Sequence, residues 1–321
     1  MRVGLVGLGM GAVKHAQALK TLAGRVEVAG VWSRDAGRRA RFAATHGLPE
    51  ATSLEALLDD PSIGLAILVT PPRTHLELTR RFAGAGKHVL LEKPIEGTLA
   101  RAEELVALCE AARVTLGIVF QNRFRAPHRR LVEIAAAGRL GRVLSASAAI
   151  RWWRPDNYYA QPGRGMMAND AGGVLLTQAI HALDQLIAFA GPAEAVRGFH
   201  ATTPLRRIDT EDVAVGAVRW RSGALGVVDA TTAAYPGASE RIDLACEHGT
   251  ALLERKRVLI RLRDGTEIDE AEAPDTPEYP PHLRLIEDML DAIATGRQPQ
   301  ANGRDSLEVH RLIDMLMRDT A

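Results

Sequence analysis

The sequence predicts a mixed α/β protein: a doubly wound parallel sheet, then an α+β domain with a large, mostly antiparallel open sheet. Three observations predict it. Strand-type runs alternate with helical patterns from Arg2 to Phe120, consecutive strand-type runs joined by tight turns fill most of the chain after Gln121, and 321 residues suit two domains of about 150 each.

Arg2–Val6 reads as the first strand and Met10–Leu22 as a helix. Val26–Trp32 is the second strand, followed by a charged helix Arg34–His46 that stops at Gly47. Leu65–Val69 is a short apolar run of the kind buried on both faces of a parallel sheet; Pro71-Pro72 ends it, and a helix Thr74–Ala85 returns the chain. His88–Leu91, a helix over Leu99–Arg113 and Thr115–Phe120 complete a series whose crossovers must be right-handed. Beyond it come a helix at Pro127–Ala137, a long strand Val143–Trp153, a Pro-, Gly- and Tyr-bearing loop over 154–172 and a helix Val174–Phe189. Strands near 194–201, 211–220, 224–232, 239–246, 250–254, 257–262 and 266–269 follow, then helices over 282–295 and 304–319. The expected division is 1–122 and 123–321.

Composition excludes several classes. Lys and Arg total 40 against 39 Asp and Glu, which lacks the basic surplus of a nucleic-acid binder. The nearly pure apolar stretches fall far short of the roughly 18 residues that cross a bilayer, so no membrane role is expected. Glycines at 4, 7, 9 and 11 interrupt the apolar N-terminus and argue against an export signal. Cys109 and Cys246 have no partner spacing, which fits a reducing, cytoplasmic setting and no cysteine-based metal site.

Gly7-Leu8-Gly9-Met10-Gly11-Ala12 joins the first strand to the first helix. There Gly7 permits the tight turn, Gly9 lets backbone approach a pyrophosphate, and small Ala12 lets the helix pack closely, while the helix N-terminus offers free N–H groups to phosphate. This predicts a Rossmann dinucleotide site. A carboxylate at the end of the second strand would bind the ribose diol of NAD; here Ser33-Arg34 stands there, with Arg38 one turn on. Serine removes the repulsion toward a 2′-phosphate and the arginines can lie against it, so NADP(H) is favoured over NAD(H), and Asp35 is expected to cap the following helix.

Thr70-Pro71-Pro72-Arg73-Thr74-His75 and Glu92-Lys93-Pro94 leave the carboxyl ends of central strands, where open α/β sheets bind ligands. A lysine at Lys93 would face a nicotinamide with an acid–base role. In the second half Thr177, His181 and Asp184 share one helix face. The preceding loop offers Tyr158, Tyr159, Arg164 and Gly172-Gly173 to a polar substrate. His181 and Asp184 have no converging third ligand, so no metal is expected.

With these motifs in order, the chain resembles the Gfo/Idh/MocA oxidoreductases. The resemblance spans essentially the whole sequence and adds Gln121-Asn122-Arg123-Phe124 and Gln178-Ala179-Ile180-His181-Ala182-Leu183-Asp184 to the marks above. It implies hydride transfer between nicotinamide and a sugar, polyol or related carbonyl, with Lys93 and His181 meeting at a cleft and handling the alcohol proton. It also implies a Lys–Pro peptide that is often cis, and a sheet that packs on another subunit, giving a homo-oligomer (dimer or tetramer). Cofactor contacts are expected from Gly7, Gly9, Met10, Gly11, Ala12, Ser33, Arg34, Arg38, Thr70, Pro71, Pro72, His75, Glu92, Lys93 and Gln121. Substrate contacts are expected from Lys93, Arg123, Trp153, Arg154, Asp156, Tyr159, Arg164, Thr177 and His181. Thr177 departs from the carboxylate that many sugar dehydrogenases of the family carry four residues before the histidine. A nucleotide-assisted glycosidase and a non-catalytic NAD(P)-binding sensor are the alternative readings.

Overall fold

A computed structural model describes residues 1–318 of the chain. Two compact units divide it: 1–96, 100–121 and 277–307 form the first, and 97–99, 122–276 and the segment from Glu308 onward form the second. These units differ from a single cut after residue 122 in two segments, 97–99 and 277–307. Residues 277–307 return to the first unit, where they cover the edge of its sheet.

The first unit holds a five-stranded parallel sheet of β1 (Arg2–Val6), β2 (Glu27–Trp32), β3 (Ile63–Leu68), β4 (His88–Leu91) and β5 (Leu116–Ile118), in the order β2-β1-β3-β4-β5. Val3, Leu5, Val6, Leu65, Ile67, Leu68, Val89 and Leu91 are completely buried, as a sheet covered on both faces requires. Helices α1 (Ala12–Thr21), α2 (Ala36–His46), α3 (Leu54–Asp59), α4 (His75–Gly84) and α5 (Leu99–Ala111) connect the strands. The short α3 was not anticipated; Ser53 starts it, accepting the Ala56 N–H at 2.9 Å. At the β5 edge, Ile118 N–H donates to Ala301 O at 2.7 Å and Gly117 bridges to Asn302, so the returning segment satisfies backbone groups that would otherwise be bare.

The second unit is built on an eight-stranded sheet in the order β13-β12-β11-β10-β6-β9-β8-β7. These are β6 (Val143–Arg151), β7 (Ala193–Ala201), β8 (Val213–Trp220), β9 (Leu225–Thr231), β10 (Arg241–Cys246), β11 (Gly249–Glu254), β12 (Arg257–Leu262) and β13 (Glu267–Ala271). All neighbours are antiparallel except β6 and β9, which run parallel. Side chains alternate in burial along β8 and β12, so one face packs inward and the other is open. Helix α6 (Ala126–Ala136) packs against β11 and β12, and the 154–172 loop contains two single turns, α7 (Asp156–Tyr159) and α8 (Met167–Asp170).

The helix read over Val174–Phe189 is a π-turn at Leu175–Ala179 running into α9 (Ile180–Ala190). The run Met167–Ala190 is long and apolar enough to cross a membrane, with a mean hydropathy of 1.3, but 72% of that window is buried inside the protein. Here it is the core helix under the eight-stranded sheet. Helix α10 (Pro280–Thr295) packs on α1, and α11 (Gly303–Met317) passes from the first unit's segment into the second's. Position 319 of the expected last helix lies outside the described residues.

Candidate active site

The glycine loop is built as the nucleotide reading requires. Gly7 has φ of +93°, and a Cβ there would stand 2.1 Å from the Val69 carbonyl oxygen, so only glycine fits. A Cβ on Gly9 would meet nothing within 4 Å, which leaves that backbone open to an approaching group. Ala12 is fully buried at the start of α1, whereas Met10 is 72% exposed at the loop tip. At the end of β2, Ser33 is buried with its hydroxyl donating to Asp35 O at 2.9 Å. Asp35 caps α2, its Oδ1 accepting the Arg38 N–H at 2.7 Å; this bond, with Arg38 and Arg41 nearby, holds its carboxyl below the usual range despite some desolvation. Arg34 and Arg38 are exposed, and neither forms an ion pair among the described residues.

Carboxyl ends of the central strands carry the next groups. Thr70, Pro71 and Pro72 leave β3, and the Thr74 hydroxyl lies 2.8 Å from both Thr70 Oγ1 and Pro71 O. His75 takes a different role from the expected cofactor contact. It is fully buried, with Nε2 2.8 Å from Thr70 O and Nδ1 3.0 and 3.1 Å from Pro94 O and Ile95 O. Burial pushes its pKa below the ordinary value against the pull of these carbonyls, and the ring ties the loop after β3 to the turn after Lys93. Glu92 begins that turn; its Oε2 accepts the Lys93 N–H at 3.2 Å, and the Lys93–Pro94 peptide is cis. At the end of β5 the side-chain oxygen of Gln121 is buried with no hydrogen-bond partner, a group that a bound molecule could satisfy.

His15, Glu92 and His282 form a cluster whose candidate ligand atoms lie within 4.8 Å of one another. Four-coordinate zinc would place them about 3.3 Å apart and would need the second ring nitrogens to donate to acceptors. Instead, Nδ1 of both His15 and His282 is buried without a partner. The arrangement fits a positioning role better: His15 Nε2 donates to Glu92 Oε1 at 3.2 Å. Burial pushes the Glu92 carboxyl up, but the hydrogen bond from His15 and the charges of His15, His282 and Lys93 outweigh it, leaving it below the usual range.

In the second unit, Gly173 precedes the π-turn because a Cβ there would fall 1.8 Å from Glu211 O. The Glu211 carboxylate accepts the N–H groups of Gly173 at 2.8 Å and Leu175 at 3.1 Å and so fixes the start of the helix that carries His181. Burial pushes its carboxyl up against these bonds. The Thr177 hydroxyl is spent on its own helix, donating to Gly173 O at 2.6 Å. His181 stands two residues beyond the end of the π-turn, a distortion common at functional sites.

Arg123, expected to touch substrate, is committed elsewhere. Its Nε and Nη2 donate to Asp184 at 2.8 and 2.5 Å, and Asp184 is 2% exposed. Burial pushes Asp184 up while Arg123 pulls it down. Breaking such a buried pair from one side costs about 3–5 kcal/mol. Asp156 is exposed at the start of α7.

Trp153, Arg154, Tyr159 and Arg164 do come together, in an Arg–aromatic stack within the second unit. The Arg154 guanidinium lies 4.8 Å from the Trp152 ring and 5.3 Å from Tyr158, and donates from Nε and Nη2 to Gln178 Oε1 at 2.9 and 2.6 Å. Arg164 also stands over Tyr158, at 5.2 Å. Arg206 is 4.8 Å from both Trp153 and Tyr159, and Tyr159 OH is 2.8 Å from Thr232 Oγ1. Gln178 lay inside the motif already noted, but Arg206, His15, His282 and Glu211 carried no spacing signal.

A glycine-rich loop at the head of a parallel sheet, and a lysine at a strand end within it, define a dinucleotide-dependent oxidoreductase fold. Residues 1–120 match the oxidoreductase family with NAD-binding Rossmann fold, and residues 128–252 match the GFO/IDH/MocA C-terminal domain. The chain is 32% identical over 291 residues to 1,5-anhydro-D-fructose reductase of Ensifer adhaerens, covering 88% of this chain and 85% of the reductase. It is 29% identical over 328 residues to D-xylose 1-dehydrogenase (NADP(+)) 2 of Haloferax volcanii, covering 98% and 94%. Its structure is similar to that of the WlbA dehydrogenase from Bordetella pertussis in complex with NADH and UDP-GlcNAcA, with a TM-score of 0.84, 29% identity and coverage of 98% and 95%. The chain belongs to the Gfo/Idh/MocA oxidoreductase family, and it is an oxidoreductase with an NAD-binding Rossmann fold.

Proposed function

We propose that this oxidoreductase interconverts a CH–OH and a C=O group on a sugar or polyol, with Lys93 and His181 managing the proton. One observation carries the reading: Lys93 leaves the carboxyl end of β4, clamped between Glu92 and the turn held by His75, in the same sheet that presents the glycine-rich loop. Gly7, Gly9, Met10, Gly11 and Ala12 would hold the pyrophosphate, and Thr70, Pro71, Pro72, Glu92 and Gln121 would border the nicotinamide end. Bound nicotinamide supplies or accepts the hydride. Lys93 polarises the substrate oxygen and His181 takes or returns the hydroxyl proton. Thr177, with no carboxylate and its hydroxyl spent on Gly173, leaves a charged His181 without an acid in the place many relatives have one, so charge balance depends on other groups. Relatives that act on anhydrofructose, xylose and a nucleotide-linked sugar acid support the sugar-like substrate class.

NADP(H) is the favoured cofactor. Buried Ser33, an Asp35 carboxylate turned onto its own helix, and the exposed, unpaired Arg34 and Arg38 leave room for a 2′-phosphate. The open face of the second unit's sheet, with Phe199 at 77% and Leu225 at 60% exposure, is read as the contact with a second copy of the chain. Cys109 and Cys246, both free and buried, accord with the cytoplasm.

The test is a pair of variants, Lys93→Met and His181→Ala. Each is expected to abolish turnover of sugars while NADPH still binds, followed by nicotinamide fluorescence. Robust turnover by both variants would sink the reading.

A further inference from the structure

We propose that the substrate carries an anionic substituent, a carboxylate or a phosphate, and that Arg154 is the residue that recognises it. The proposal rests on the function above and narrows its substrate class. It follows from charge accounting in the second unit. Three guanidinium groups crowd around two adjacent tyrosines: Arg154 and Arg164 lie 5.3 and 5.2 Å from the Tyr158 ring, and Arg206 lies 4.8 Å from Tyr159, whose ring is 5.0 Å from that of Tyr158. Like charges so concentrated and partly dehydrated need compensation.

The acids within reach supply only part of it, one each for Arg164 and Arg206 and none for Arg154. Asp170 is 3.4 Å from Arg164 but also accepts Gly165 N–H at 2.8 Å and Asn169 Nδ2 at 3.1 Å. Asp212 is 3.7 Å from Arg206, and its two oxygens are taken at 2.7 Å by the backbone N–H and hydroxyl of Thr203. Arg206 is 96% buried by side chain (4% exposed), and its Nε and Nη1 have no hydrogen-bond partner. Among the described residues Arg154 pairs with no carboxylate, and its side chain hydrogen-bonds to the neutral amide of Gln178. That amide is itself fixed, Nε2 donating to Tyr158 OH at 2.7 Å.

The geometry makes Arg154 a prepared anchor. Of five N–H donors, two are spent on Gln178, and stacking on Trp152 and Tyr158 holds the plane still while the rest remain free for a ligand. Gln178 is three residues before His181, so the guanidinium is held about one helical turn along from the candidate acid–base group. That spacing suits a substituent a few bonds from the reacting carbon. A neutral hydroxyl could accept from Arg154 but would leave the surplus charge uncompensated.

The experiment measures kcat/KM with NADP(H) and NAD(H) for hexoses, their uronates, their 6-phosphates, and matched UDP-hexose and UDP-hexuronate. It uses the wild-type chain, Arg154→Gln and Gln178→Glu. The second variant keeps an acceptor for Arg154 and places a carboxylate beside it, so it guards against a simple folding failure. An anionic member is expected to exceed its neutral counterpart by about tenfold to a hundredfold, as one charge-assisted contact provides. The ratio should collapse in both variants and shrink with added KCl. The uronate and phosphate arms decide which anion is meant. A neutral sugar preferred by the wild type, or a ratio unchanged in both variants, overturns the proposal. If no sugar turns over, the functional reading fails, and calorimetric titration of the same compounds onto wild type and Gln178→Glu decides this one separately. Tighter binding of the anion by wild type alone supports it, and equal or absent anion binding overturns it.

Discussion

The imidazole of His15 donates to the Glu92 carboxylate at 3.2 Å, and Glu92 in turn accepts the backbone N–H of Lys93 at 3.2 Å. A residue on the first helix thus steadies the turn that presents the proposed catalytic lysine, and His282, from the returning C-terminal segment, stacks edge-on against His15 with ring centroids 5.2 Å apart.

Replacing Glu92 by Gln removes a negative charge beside the Lys93 ammonium while keeping the side chain's size. The protonated lysine loses a stabilising neighbour, so the alkaline limb of the pH–kcat/KM profile is expected to move to lower pH. His15→Gln should leave that charge in place and lower kcat by about tenfold to a hundredfold through misplacement. Unchanged profiles in both variants would remove the positioning role.

Cofactor choice is read from Arg34 and Arg38. The double variant Arg34→Ala, Arg38→Ala is expected to weaken NADPH binding by about tenfold to a hundredfold and to change NADH binding little. Equilibrium titration by fluorescence at two salt concentrations checks this, and a wild type that holds NADH as tightly as NADPH would contradict it.

Acid should unfold the protein through two buried histidines. Burial, with the charge of Arg123, lowers His128 to about 3, and burial, with His15, lowers His282 to about 3. Both folded values lie below the ordinary 6.5, so the unfolded chain binds more protons in between. Stability is therefore complete above about pH 6.5 and is lost as pH falls toward 3. Urea midpoints measured across that range should fall less steeply for a His128→Gln, His282→Gln double variant than for wild type.

The open sheet face gives a prediction about assembly. Phe199 on β7 pairs with Val215 on β8, and Leu225 and Val227 lie farther along β9, opposite Arg219 and Ala217, all exposed. Phe199→Glu with Leu225→Glu is expected to reduce the mass seen by light scattering to that of a single chain, with unchanged circular dichroism. A wild type that already runs as a single chain would dismiss the second copy.

Much of the first unit was legible along the chain, because nucleotide loops and parallel strands are local patterns. Gly7 could be assigned to a turn from its neighbours alone, and Asp35 was identified as a cap from its position before a helical run. Arg123 shows the opposite case. A polar residue in a family motif looks available in sequence, yet its guanidinium is consumed by Asp184, a partner whose helix reaches it only in the fold. His75 likewise has surroundings the sequence does not show, since three backbone carbonyls from two loops enclose it.

Sequence alone determined the sheet classes and the family, and singled out the loop, lysine and histidine of the proposed chemistry, because hydrophobic period and glycine placement are short-range constraints. Tertiary structure decided which charges remain unspent. It joined His15, Glu92 and His282 from distant positions, returned 277–307 to cover the β5 edge, and set Arg206 between Trp153 and Tyr159. The physical reason is that burial and charge pairing belong to neighbours in space, and a residue's neighbours in space are not written beside it in the chain.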